Sequence, residues 1–91
     1  MLFVTRYRTK PFMTPEETRD LLKAHAEVGP GKGELAHYIA LDHSHGLVLN
    51  EADDAGEGYR HTLNFSRWLE FDTTVMLPVD DVIPHLLDAY G

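Results

Sequence analysis

The stretch LAHYIALDHSHGLVLNEA, residues 35–52, places two apolar runs, Leu35 to Leu41 and Leu47 to Ala52, on either side of the polar segment Asp42-His43-Ser44-His45-Gly46. Runs this short, rich in branched and aromatic side chains and separated by turn residues, read as a β-hairpin. A two- or four-residue loop sets Ile39 opposite Val48, Leu35 opposite Ala52 and His37 opposite Asn50. A three-residue loop with Gly46 in the left-handed conformation sets Tyr38 opposite Asn50 instead. The first register is the one expected. Leu35, Ile39 and Leu41 point one way and Ala36, Tyr38 and Ala40 the other, so the strand is apolar on both sides. A sheet wetted on one face alternates with polar residues, and this hairpin therefore expects cover on both.

Outward from the hairpin, Leu2 to Tyr7 reads as a strand, and Pro11 ends any ladder because it lacks an N–H. Thr14, Pro15 and Glu17 form a capping box with proline at the first helical position. Thr18, Leu21, Leu22, His25 and Val28 then recur at helical spacing until Gly29-Pro30 stops the helix. Beyond the hairpin, Asp53 and Asp54 offer N-cap chemistry for a second helix from about Ala55 to Leu69, weakened in its first turn by Gly56 and Gly58. Phe71 to Leu77 is a fourth strand closed by Pro78. A last helix over about residues 81–90 has Asp81 as its cap, Pro84 in its first turn, and a stripe of Ile83, Leu86, Leu87 and Tyr90. The order predicts an α+β chain of the ferredoxin-like βαββαβ plan: a four-stranded antiparallel sheet plus a C-terminal helix, as one domain over residues 1–91. Two helices on one face leave the other apolar face bare, and a second copy of the chain is the simplest cover, so a homodimer is expected.

The 91 residues support one hydrophobic core. With 43% hydrophobic and 25% charged residues, the composition is that of a globular domain and not of a disordered or collagen-like chain. There is no cysteine, which removes disulfides, thiolate nucleophiles and cysteine-ligated metals together. No apolar run approaches the ~18 residues of a membrane span, and a cytoplasmic location without membrane contact is expected. The net charge of −7 is unevenly spread: residues 1–33 carry +2 and residues 34–91 carry −9. That sign disfavours nucleic acid as a partner. Arg6, Arg8 and Lys10 fall at period two, on one face if the strand runs that far; pairing with the acidic half is the simpler reading, an anionic ligand the sharper one.

Four segments, MLFVTRYR at the start, GPGKG before the second strand, LVLNEADD and NFSRWLEFDTTVMLPV, resemble an uncharacterised bacterial family of unknown function within the dimeric α/β-barrel (ferredoxin-like) superfamily. The resemblance covers roughly residues 1–80. The family's acidic turn is matched by Glu51-Ala52-Asp53-Asp54. Its aromatic-Ser pair and the approach to its last strand are matched by Phe65-Ser66 and Trp68-Leu69-Glu70-Phe71. The chain departs from the family in having Phe65 where a tryptophan is expected. Superfamily relatives include cofactor-independent monooxygenases, small-ring isomerases, haem enzymes and non-catalytic proteins, so the resemblance implies a fold and leaves the reaction open.

Three constellations bear on chemistry. Asp42, His43 and His45 are the most metal-like group, since His-x-His presents two imidazoles to which Asp42 adds an oxygen, but no nearby spacing supplies a further ligand, and a solvated turn is the simpler reading. No cofactor is expected. His37 and Asn50 share a face otherwise made of Leu35, Ile39, Leu41, Val48 and Ala52; a histidine satisfied by the amide is the plain reading, and a pocket with His37 as general base and Asn50 as a substrate-orienting donor is the functional one. Tyr59, His61 and Trp68 on the second helix are candidates to line the same space. The scarcity of inward polar groups and the acidic half favour a non-catalytic, homodimeric interaction protein that binds another protein. The alternative is a small-molecule-binding protein or cofactor-independent enzyme acting on a hydrophobic substrate; composition and spacing leave open whether the chain is an enzyme.

Overall fold

A computed structural model describes all 91 residues, Met1–Gly91. Seven elements follow in order: β1 (Leu2–Thr9), α1 (Pro15–Val28), β2 (Glu34–Ile39), β3 (His45–Glu51), α2 (Ala55–Leu63), β4 (Leu69–Met76) and α3 (Val79–Tyr90). The strands form one sheet in the order β2-β3-β1-β4, with every neighbouring pair antiparallel. This is the expected ferredoxin-like plan with a C-terminal helix.

Local chemistry accounts for the helix limits. Thr14 Oγ1 accepts the Glu17 N–H at 3.1 Å and donates to the Glu17 carboxylate at 3.3 Å, while Pro15 opens α1. Gly29, at φ 76°, ends it and returns its N–H to His25 O at 2.9 Å. Asp54 caps α2 by accepting the Gly56 N–H at 2.8 Å.

α2 is shorter than the expected span to Leu69. It stops at Leu63 because the Asn64 side-chain amide donates to the carbonyls of Arg60 and His61, and the chain then turns tightly through Phe65 to Trp68. Trp68 therefore lies in a turn and not on the helix. α3 begins at Val79, earlier than expected, with Pro78 at the cap and no side-chain cap bond, so Asp81 is inside the helix and Pro84 lies past the first turn.

Strand pairing assigns the two faces of the sheet. Phe3, Thr5 and Tyr7 of β1 lie opposite Asn50, Val48 and Gly46 of β3, and opposite Val75, Thr73 and Phe71 of β4. This face lies under α1 and α2. Phe3, Thr5, Gly46, Leu69 and the turn residue Phe65 are its buried residues, and Thr5 and Thr73 join hydroxyls at 3.0 Å across the strands. The other face carries Leu2, Val4, Ala36, Tyr38, Leu47 and Leu49, with Arg6, Arg8, Glu70 and Asp72 towards one end. No helix covers it.

The hairpin register differs from the expected one by two residues. Ile39 pairs with Gly46, Tyr38 with Leu47, His37 with Val48 and Ala36 with Leu49, and Leu35 sits at a bulge between Glu34 and Ala36. The turn is the cause. Asp42 Oδ1 accepts both the Ser44 N–H at 3.1 Å and the Ser44 hydroxyl at 2.7 Å, and His43, not Gly46, takes the left-handed conformation at φ 65°. This places the four loop residues at 41–44. A shift of two preserves the alternation, so His37 still shares a face with Ile39, Val48 and Asn50, which is the helix face, although its expected partner is lost.

Candidate functional site

His37 stands on β2, the edge strand, and faces the helices. Its partner is Tyr7, whose Oη lies 2.5 Å from His37 Nε2, with the two rings edge-on at 5.5 Å between centroids. The two residues are not on adjacent strands, because β3 runs between β1 and β2. The tyrosine crosses over Gly46: a Cβ on that glycine would stand 2.2 Å from Tyr7 Cζ and Oη. The residue type at position 46 thus decides whether a side chain of β1 can reach β2.

Further rings extend the pair in both directions. His25 of α1 lies 6.0 Å from His37 and 6.1 Å from Phe65, His61 of α2 meets Phe65 edge-on at 5.5 Å, and Phe71 of β4 lies 6.3 Å from Tyr7. These separations fall within the range of favourable aromatic contacts. The result is a row of rings beneath the helices, with imidazoles at three of six positions. His25 and His37 remain exposed, and Tyr7 is half-buried. Burial first, and the Glu34 carboxylate second, raise the Tyr7 pKa above 10.0, so the phenol is protonated at neutral pH. Two proton placements satisfy the pair: Tyr7 donates to Nε2, or Nε2–H donates to Tyr7 Oη and leaves His37 Nδ1 as an acceptor.

The other expected residues fall elsewhere. Asn50 pairs with Phe3 and Glu34 and makes no side-chain hydrogen bond to His37. Tyr59 is 67% exposed and does not join the row. His61 does join it, through Phe65. Trp68 packs its indole under the Arg67 guanidinium, 5.8 Å away, with its buried Nε1 lacking a partner. In the hairpin turn, the Ser44 hydroxyl proton goes to Asp42, so His45 Nδ1, 2.8 Å away, donates to Ser44 Oγ. The Ser44 hydrogen bonds lower the Asp42 pKa below 3.8. No group of three or more His, Asp or Glu side chains is placed to hold a metal ion, there or elsewhere.

Of the members that sequence reasoning missed, Tyr7, His25, Phe65 and Phe71, the first two carried a signal. His25 stood on the inward stripe of its helix, and Tyr7 alternated with Phe3 and Thr5; the signal for both was periodicity, which marks a face and not a contact. Gly46 was read as a turn residue, although its lack of a side chain is what admits Tyr7.

Of two surface depressions, one lies apart from this row and the other is lined in part by its Tyr7 and Phe71. One, of about 340 Å³, is walled by Lys32, Glu51, Asp53, Asp54 and Glu57. Here the amino terminus bonds Glu51 at 2.6 Å, and Lys32 approaches Glu57 at 3.7 Å. The other, of about 890 Å³, is open and spans both faces at the charged end of the sheet, reaching Tyr7, Gly46 and Phe71 as well as Arg6, Glu70 and Asp72. No helix is long and apolar enough to cross a membrane.

A family described as a domain of unknown function (DUF3303) matches residues 1–90. No curated protein matches the chain. Among solved structures, a Deinococcus radiodurans protein provisionally named an antibiotic biosynthesis monooxygenase superposes with a TM-score of 0.52 at 12% identity, covering 86% of this chain and 94% of that one. A second structure, named an antibiotic biosynthesis monooxygenase, superposes with a TM-score of 0.50 at 17% identity, covering 86% of this chain and 100% of that one. At these identities the likeness is one of fold.

Proposed function

Since the chain belongs to the DUF3303 family, a domain of unknown function, its activity has to be read from its own residues, and we propose that it binds a small, largely apolar aromatic molecule bearing an acidic hydroxyl, against Tyr7, His37 and His25. The observation that carries this reading is the Tyr7–His37 hydrogen bond within a row of aromatic and imidazole rings open to solvent at His25 and His37. Ring faces and edges favour a flat ligand, and imidazoles favour one that can give up a proton.

In the chemical step, the ligand O–H bond breaks and the proton goes to His37 Nδ1. The ligand is left as an anion and His37 as a cation, whose Nε2–H donates to Tyr7 Oη. Tyr7 suits this task because burial keeps it a neutral phenol that accepts without itself ionising. Fold likeness to proteins named as monooxygenases is compatible with an activated phenolate and selects no oxidant. The competing role, docking of a basic protein on the acidic half, has the −9 charge of residues 34–91 as its support.

The test uses 4-nitrophenol, whose phenolate absorbs visible light. The chain is expected to bind it and to lower its apparent pKa, and His37→Gln is expected to abolish the shift while Tyr59→Phe leaves it intact. Absence of binding, or a shift that survives His37→Gln, would sink the proposal.

A further inference from the structure

The β-bulge in β2 reverses what the hydrophobic pattern would do. In a regular continuation of the β2–β3 ladder Leu35 would stand opposite Asn50, on the helix face with His37, and Glu34 would fall on the other face. The extra residue gives that place to Glu34. Glu34 pairs with Asn50 and His37 with Val48, so the two share the helix face although they are three residues apart, and Leu35 is turned out, 64% exposed. Gly33 fixes the irregularity from its N-terminal side, since at φ 78° it lies so close to the Glu51 carbonyl that a side chain there would overlap it. A leucine is thus left in water while a carboxylate takes the inner position, against the gain from burial.

No partner of Glu34 explains this. Its half-buried carboxylate makes no ion pair, and Lys32, two residues away, approaches Glu57 instead. The ionisable groups around His37 are Tyr7 from β1, His25 from α1 and Glu34 from its own strand, while His61 of α2 reaches the row only through Phe65. Among these Glu34 alone is an acid. Its charge already reaches the phenol of Tyr7, where it adds to burial in raising the pKa.

We infer that Glu34 is a positioning residue of this site, the counter-charge to the His37 cation that forms when a bound phenol gives up its proton. This role rests on the ligand proposed above, whose proton passes to His37 Nδ1; Glu34 itself stays ionised, and no other bond changes. The field of Glu34 meets Tyr7 Oη and the Nε2 end of the imidazole first, whereas the phenolate forms at the Nδ1 end. Attraction to the cation therefore exceeds repulsion of the anion. Two ladder positions are about 7 Å apart, where a pair of unit charges shifts an equilibrium by roughly threefold in water and roughly fiftyfold at an effective dielectric constant of about 20.

The test reads the phenolate fraction of bound 4-nitrophenol by its visible absorbance, at saturation and at a pH below the free ligand's own ionisation. Glu34→Gln is expected to lower the ratio of phenolate to phenol by about threefold or more, and Glu34→Asp, which keeps the charge, to restore most of it. In the unmutated chain, salt at about 1 M, where the screening length is about 3 Å, is expected to act in the same direction, so the outcome does not hang on a variant folding. A ratio unchanged or raised in Glu34→Gln, or insensitive to salt, would overturn the role of Glu34 and leave the phenol site standing. Failure of the unmutated chain to bind 4-nitrophenol would remove both.

Discussion

A single missing side chain connects β1 to β2. Tyr7 reaches His37 only because Gly46 leaves the space between them empty, so Gly46→Ala must displace the tyrosine ring, at a cost of about 1–3 kcal/mol. The substitution has a second consequence, at alkaline pH. Tyr7 has a folded pKa raised above its unfolded value of 10.0, so the folded state holds its proton more tightly. The stability this contributes is complete below pH 10.0 and is lost as pH rises through the folded pKa. In Gly46→Ala the ring moves towards solvent, and that alkaline loss is expected to shrink. Urea midpoints recorded across this range for both proteins give the comparison, and an unchanged alkaline slope would place Tyr7 away from Gly46 in solution.

The hairpin turn shows how an element is set by one polar capture. Asp42 binds the N–H and hydroxyl of Ser44, and this shifts the register by two residues from that of the expected two- or four-residue loop. The same bonds engage Asp42 Oδ1 twice and His45 Nδ1 once, and no group of three His, Asp or Glu side chains is placed there to hold a metal. Chelator treatment is therefore expected to leave the melting temperature unchanged, and added zinc to raise it only as weak, exposed binding allows. A large zinc-dependent rise that disappears in His43→Ala/His45→Ala would make the turn a metal site after all.

Across the whole molecule, only five residues are buried, and a chain with so little core of its own is marginal by itself. If a second copy supplies the missing cover, folding and association are linked, and the melting temperature is expected to rise with protein concentration. Calorimetry over a hundredfold dilution series reads this directly, and a concentration-independent transition would show that the isolated chain is stable without its partner.

The elements and their order were legible in the sequence because they rest on local rules: the Thr14-Pro15-Glu17 box, the Gly29 stop, and alternation in the strands. Which strand residues share a face was legible too, since a period of two survives a register shift of two: His37, Ile39, Val48 and Asn50 lie on one face although Asn50 is not opposite His37, but which side the helices cover was not. Tertiary structure alone decided the contacts. Tyr7 and His37 are thirty residues apart and on strands that do not touch, and no sequence rule pairs them. The end of α2 depended on whether Asn64 turned back to cap the helix, which its sequence neighbours permit and do not require. Local preference acts through neighbours within a few positions and writes secondary structure; the row of rings depends on what packing brings together in three dimensions.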